Sequence, residues 1–164
     1  MTDPIFTRTS IRQWTEEPVE KETVLTLLRA AMAAPSACNS QPWEFIVVTD
    51  EKLKKELSLI SPYSHFADKA PVMIALLCRK ENSCPAYNEI DMGICIENIL
   101  LEADEQGLGA VCLGVAPLKD RMDAMAKILD LPDGLEAFAL IPVGHPQKQP
   151  AIHDRFDESR ITWR

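Results

Sequence analysis

The run "VMIALLC", Val72 to Cys78, has strand length and shows no alternation of apolar with polar residues. A strand that met water on one face would alternate, so this one is expected to be buried on both. A chain carrying it needs a sheet covered on two sides. Other stretches supply the remaining strands: "EFIVVT", Glu44 to Thr49, rich in β-branched residues; "GAVCLGV", a second buried strand; and "EAFALIPVGHP", ended by Pro142 and Gly144. Between them lie helical patterns. In "VEKETVLTLLRAAMAA" a stripe of Val24, Leu27, Leu28 and Ala31 has Leu25 and Met32 beside it, with Glu20 at the weakly marked start and Pro35 helping to stop it. Asp50 reads as the N-cap of a short helix reaching about Leu59. The longest helix is expected over roughly Ala86 to Gln106, with Gly107 in the left-handed position after it. It is apolar nearly all round, through Ile90, Ile94 and Leu101 on one stripe and Met92, Cys95, Ile96, Ile99 and Ala103 on others, which suits a central helix at a subunit interface. "LKDRMDAMAKIL" is an amphipathic helix, and "PYSHFADKAP" is a loop or irregular helix. The spacing is not that of regular βαβ units, so the fold class is α+β, a sheet flanked by helices. The polar tail from Gln147 carries Ile152, Phe156, Ile161 and Trp163, and its late aromatic residues favour docking over fraying.

The 164 residues suggest one domain, and the 46% apolar content is enough for a core. A net charge of −8 argues against a nucleic-acid surface, which needs a basic face. Five cysteines without close pairs do not read as a disulfide framework, and with no CxxC and three histidines a structural zinc site is not expected. No apolar run reaches a membrane span, and "MTDPIFTRTS" lacks the layout of a signal peptide. The expectation is a cytoplasmic protein with neither membrane nor nucleic-acid partner.

Few motifs point to chemistry. There is no GxSxG elbow, no P-loop and no GxGxxG turn, and the glycines of "GLGAVCLG" surround a strand. "RTSIRQW", Arg8 to Trp14, places two guanidiniums around hydroxyl donors. This is either a solvated basic patch or a phosphate cradle, because guanidinium pairs bidentately with phosphate. "APSACNSQPW", Ala34 to Trp43, is too elaborate for a connector between a helix and a strand.

Taken together and in order, "RTSIRQW", "APSACNSQPWEFIVV", "KAPVMIAL", "DMGICIENILLEADEQGLGAVCLG", "ALIPVGHP" and "DRFDESRITW" resemble the nitroreductase family of FMN-dependent oxidoreductases. The resemblance covers nearly the whole chain, which is at the short end for that family. It implies a single FMN-binding domain over 1–164, with a central, mostly antiparallel sheet flanked by helices. It also implies an intertwined homodimer with FMN at the subunit interface, the central helix packed on its twin and the tail, about 147–164, wrapped onto the partner.

Position by position, the resemblance assigns Arg8 to the FMN phosphate, Thr9 to backbone contacts, and Ser10 to a hydroxyl near the phosphate and ribityl chain. Arg12 stands beside the flavin N1 and C2 carbonyl, where a lysine often stands. Pro35, Ser36, Ala37 and Asn39 reach the partner's flavin. The two prolines of the stretch, Pro35 and Pro42, fix a rigid path, its small residues permit close approach, and Asn39 offers both donor and acceptor. Gln41 and Trp43 brace this loop, and Cys38 flanks it. Leu113, Gly114 and Val115 pass near the reactive N5, and Arg155 matches a second phosphate-binding arginine. His153 sits where some members carry lysine. His65 and Phe66 either line a substrate pocket or pack their loop. The implied activity is ping-pong hydride transfer from NADH or NADPH through flavin N5 to a small nitroaromatic- or quinone-like acceptor. No side-chain acid, base or metal is needed, and Arg12 gives electrostatic support. The alternative is an FMN-binding or sensor protein without turnover.

Overall fold

The computed structural model describes residues 3–149 and 151–164. The ends of the expected domain at residues 1 and 2, and position 150 of the expected tail, lie outside the described residues.

Five strands form one antiparallel sheet: β1 (Trp43–Val48), β2 (Val72–Arg79), β3 (Gly109–Ala110), β4 (Leu113–Gly114) and β5 (Leu135–Gly144). The order is β1-β2-β5-β3, with β4 also on β5. β2 is central and buried from Val72 through Cys78, as its unbroken apolar run requires. Its alternate residues serve two separate cores. Val72, Ile74, Leu76 and Cys78 pack with α2 (Lys21–Met32) and α4 (Asn88–Glu105) on one side. Met73, Ala75 and Leu77 pack with Leu57 of α3 (Glu51–Ser58) and Met125 of α5 (Lys119–Ile128) on the other. Each fully buried Leu or Ile contributes about 1.5–3 kcal/mol. A short α1 (Pro4–Thr7) precedes them, capped by the Asp3 carboxylate. No helix among the described residues is long and apolar enough to cross a membrane.

Local signals set most boundaries. The Asp50 carboxylate accepts from the Leu53 N–H at 2.9 Å and caps α3. Gly107 has φ +70° just beyond α4. The expected strand "GAVCLGV" is instead two short pieces. β3 and β4 keep one register on β5, and the gap between them falls opposite Pro142 and Ile141. Pro142 has no N–H to continue the ladder there. A bulge in β5, where Leu76 and Leu77 face Ala139 and Ala137, leaves Phe138 without a partner on β2.

"PYSHFADKAP" contains a 3-10 helix, His65–Lys69. It is tied down from α3: the buried Lys54 ammonium donates to the Ala70 carbonyl at 2.9 Å, and Lys55 bonds Asp68 at 2.8 Å. The hydrogen bond from Lys55 holds the Asp68 carboxyl below its ordinary range. A depressed carboxyl pKa adds stability above its unfolded value near 3.9, and that stability disappears as pH falls through the lower folded value. Asp68→Asn is therefore expected to remove up to about 1 kcal/mol at neutral pH and nothing at the acid end, read from urea midpoints across pH.

Candidate active site

The segment Ser10 to Trp14 lies flat on the open edge of the sheet. Ser10 bridges Ala110, and the Ile11 N–H donates to the Ala110 carbonyl at 3.0 Å. Trp14 anchors the segment. It is 3% exposed, its indole N–H donates to the Gly109 carbonyl at 2.7 Å, and its ring stacks on Phe66 at 6.1 Å. Two paired glycines make this approach possible. A Cβ at Gly109 would lie 2.6 Å from Ile11, and one at Gly144 would lie 2.5 Å from the Pro71 ring and 3.0 Å from Trp14.

This packing turns Arg12 outward. Arg12, Phe66, Cys112, Leu113, Gly114 and Arg121 are among the residues lining a cavity of about 200 Å³, with Val115 buried at its base. Ser10, Arg12 and Phe66 also line an adjoining open cavity of about 820 Å³. Among the described residues neither Arg12 nor Arg121 has a carboxylate partner. Arg121 donates to the Gly114 carbonyl at 3.0 Å, and Arg12 reaches only the Ser10 carbonyl at 3.4 Å. Arg8 is half-buried and pairs with Glu97 of α4 at 3.1 Å. Thr9 lies between Arg8 and Ser10 and lines neither cavity. Burial pushes the Cys112 thiol up to about 11, with the Glu97 carboxylate adding to the shift, so it is a wall rather than a nucleophile.

The other expected residues form a second cluster. Pro35, Ser36, Ala37 and Asn39 line neither cavity at Arg12. Their loop is unusually constrained: Cys38, Asn39 and Gln41 have φ of 54°, 51° and 45°. Asparagine tolerates this region, but for the other two it costs of order 1–3 kcal/mol each. Several contacts hold the shape. The carboxylate of Asp91, 3% exposed on α4, accepts from the Ala37 N–H through both oxygens at 3.1 Å and from the Ser40 hydroxyl at 3.3 Å. Ser36 Oγ accepts from the Gln41 N–H at 2.9 Å, and Gln41 Nε2 donates to Asn39 Oδ1 at 3.2 Å, so Gln41 braces the loop. Arg79 donates to the Ser40 and Gln41 carbonyls.

Cys38 is bonded to Cys84, with Cα atoms 6.1 Å apart. This corrects the expectation that the cysteines form no disulfide. The pair is separated by 46 residues, and the β1–β2 pairing, which sets Trp43 opposite Cys78, brings the two ends together.

Arg155 bonds only the His153 carbonyl at 3.4 Å and lines neither cavity. His65 is exposed and also lines neither, whereas Phe66 lines both. Residues 151–164 are exposed throughout, Trp163 by 87% and Phe156 by 73%, whereas Gln147 at the start of the tail donates to the Gln13 and Trp14 carbonyls of its own chain. Sequence reasoning missed Asp91, Glu97 and Arg121. Acidic residues on a helix and an arginine in an amphipathic stretch look like solvated surface.

Two guanidiniums with no carboxylate partner among the described residues line one cavity with serine hydroxyls, which suits an anionic group and needs no nucleophile of the protein's own. Comparison with known proteins agrees. The model of the nitroreductase family matches residues 5–61 and 61–145. A protein of Methanothermobacter thermautotrophicus, named for NADH dehydrogenase and NAD(P)H nitroreductase activity, is 37% identical over 97% of this chain and 84% of its own. A crystal structure of a Clostridium acetobutylicum protein named for NADH oxidase activity superposes with TM-score 0.94 at 42% identity, covering 98% of each chain. An FMN-dependent nitroreductase of Clostridium difficile gives TM-score 0.89 at 26% identity, covering 99% of this chain and 98% of the other. The chain belongs to the nitroreductase family.

Proposed function

We propose that the protein is an FMN-dependent NAD(P)H oxidoreductase that works as a homodimer and passes hydride by a ping-pong route to a small nitroaromatic- or quinone-like acceptor. The observation that carries this reading is Arg12, a guanidinium without a carboxylate partner among the described residues that shares one cavity with Leu113 and Gly114. Bound FMN supplies hydride acceptance and donation at N5. The chain binds and orients it. Arg8, Thr9 and Ser10, with Arg155, would hold the phosphate, Arg8 exchanging its pair with Glu97 for that anion. With FMN bound, Arg12 would be the residue that stabilises negative charge developing on the flavin. Leu113, Gly114 and Val115 offer backbone to the N5 side. Pro35, Ser36, Ala37 and Asn39 reach the flavin held mainly by the partner. Support for the dimer comes from apolar groups left in solvent, Ile90 and Ile94 on α4 and Phe156 and Trp163 in the tail.

The test is the absorbance spectrum of the purified protein, then anaerobic titration with NADH and NADPH, then turnover with menadione or a nitroarene. Flavin absorbance, bleaching by a nicotinamide and steady-state turnover are expected. A bound flavin that never turns over would replace this reading with a sensor, and a protein that takes up no FMN would end it. Arg8→Ala is expected to weaken FMN binding by about 1.5–3 kcal/mol with the fold intact, because one charge-assisted phosphate contact is lost. Fluorescence titration of FMN measures this, and an unchanged affinity would remove Arg8 from the phosphate site.

A further inference from the structure

The loop that carries Asn39 is fixed by one covalent tie as well as by hydrogen bonds. The hydrogen bonds are made by the residues on either side of Cys38: Asp91 grips Ala37 and Ser40, Ser36 accepts from the N–H groups of Asn39 and Gln41, and the Ser40 N–H donates to the Ala37 carbonyl. Cys38 itself sits at φ 54°, a region that cysteine has no side-chain chemistry to favour. Its side chain is tied to the sulfur of Cys84, which stands on a firm mount. The Cys84 N–H donates to Asn82 Oδ1 at 2.9 Å, Asn82 in turn bonds Asn88 at 2.9 Å, and Pro85 opens the turn that leads into α4. Cys38 is exposed and Cys84 half-buried, so the bond lies at the surface of the chain. The remaining cysteines differ. Burial pushes the thiols of Cys78, Cys95 and Cys112 up to about 11, 12 and 11, which leaves them unreactive.

We propose that Cys38 and Cys84 form a dithiol–disulfide site that locks the Asn39 loop when oxidised and releases it when reduced. The consequence for the cofactor rests on the flavin reading above, but the lock itself does not. In the reducing direction a small dithiol donates two electrons and two protons. The bond between the two sulfurs breaks, Cys38 and Cys84 become thiols, and the reagent closes to its own cyclic disulfide. Cys38 is then free to leave the left-handed region, taking Asn39 with it.

The experiment compares air-oxidised holoprotein, the same protein treated with dithiothreitol, and Cys84→Ser. Alkylation under denaturing conditions followed by mass analysis is expected to label three cysteines before reduction and five after. Amide hydrogen exchange over 36–41 should quicken on reduction. FMN affinity should fall by about tenfold, the size expected when one strained residue loses its tie. Cys84→Ser should show the reduced behaviour without dithiol and gain nothing from it. Five labelled cysteines before reduction, or equal loop exchange in the two states, would overturn the proposal. If Cys84→Ser does not fold, the oxidised and reduced natural protein decide the matter alone. A protein that takes up no FMN in either state, while its loop exchange still responds to dithiol, supports the lock and retires the flavin reading.

Discussion

Replacing Trp14 with alanine is expected to destabilise the protein by about 4 kcal/mol and to abolish FMN binding at temperatures where the natural protein still binds it. Deleting a buried aromatic side chain costs about 3–5 kcal/mol through lost transfer energy and the cavity left behind. Trp14 also satisfies the Gly109 carbonyl through its indole N–H, 2.7 Å away, and stacks on Phe66, which lines both cavities. Its loss should therefore loosen the strand segment that presents Arg8, Ser10 and Arg12. Trp14→Phe keeps most of the apolar volume and drops only the hydrogen bond, so it should cost about 1–2 kcal/mol and leave FMN binding measurable. Urea unfolding gives both values from the shift in midpoint at constant slope. A Trp14→Ala protein less than about 2 kcal/mol below the natural one would show that Ile11 and the Ala110 bridge hold the segment without it.

The second large effect is expected at Asp91. Alanine there leaves the half-buried Ala37 N–H and Ser40 hydroxyl without their charged acceptor. The cost is about 2–3 kcal/mol. Asp91 acts on the cofactor only through the loop it holds, so stability alone is a poor measure of that role. The distinguishing readouts are hydrogen exchange over 36–41 and FMN affinity, set beside a substitution of similar cost in the α3–α5 core, such as Leu57→Ala. Asp91→Ala should raise loop exchange and weaken FMN more than Leu57→Ala does. Asp91→Asn, which keeps one acceptor oxygen, should recover part of both. Equal effects from the Asp91 and Leu57 variants would make Asp91 an ordinary core residue.

How far the fold was legible follows from the same contacts. The burial of β2 on two faces and the caps at Asp50 and Gly107 are local signals, carried by the identity and spacing of neighbouring residues, whereas the bracing by Gln41 came only with the family resemblance. The division of "GAVCLGV" was not legible, because it depends on Pro142 standing across from Val111, and only the register of the sheet supplies that. Asp91 stayed hidden for a related reason. An acidic residue in the first turn of a helix suits the helix dipole, so nothing in the sequence calls for a second role. The Cys38–Cys84 bond was missed because counting and spacing see only near neighbours in the chain. The site was half legible. "RTSIRQW" left a solvated patch and a phosphate cradle both open, and only the fold shows that Arg12 and Gly114 share a cavity that Asn39 does not line.

The glycine pair at the sheet edge carries a lesson for anyone reshaping acceptor preference by directed evolution. A side chain at Gly144 would collide with the Pro71 ring and with Trp14, and one at Gly109 would collide with Ile11, so random libraries spanning those codons would fill with unfolded clones. Tyr63, 80% exposed on the rim of the smaller cavity, carries no such burden. Saturating that codon while freezing both glycines would spend screening effort where the scaffold can tolerate variety.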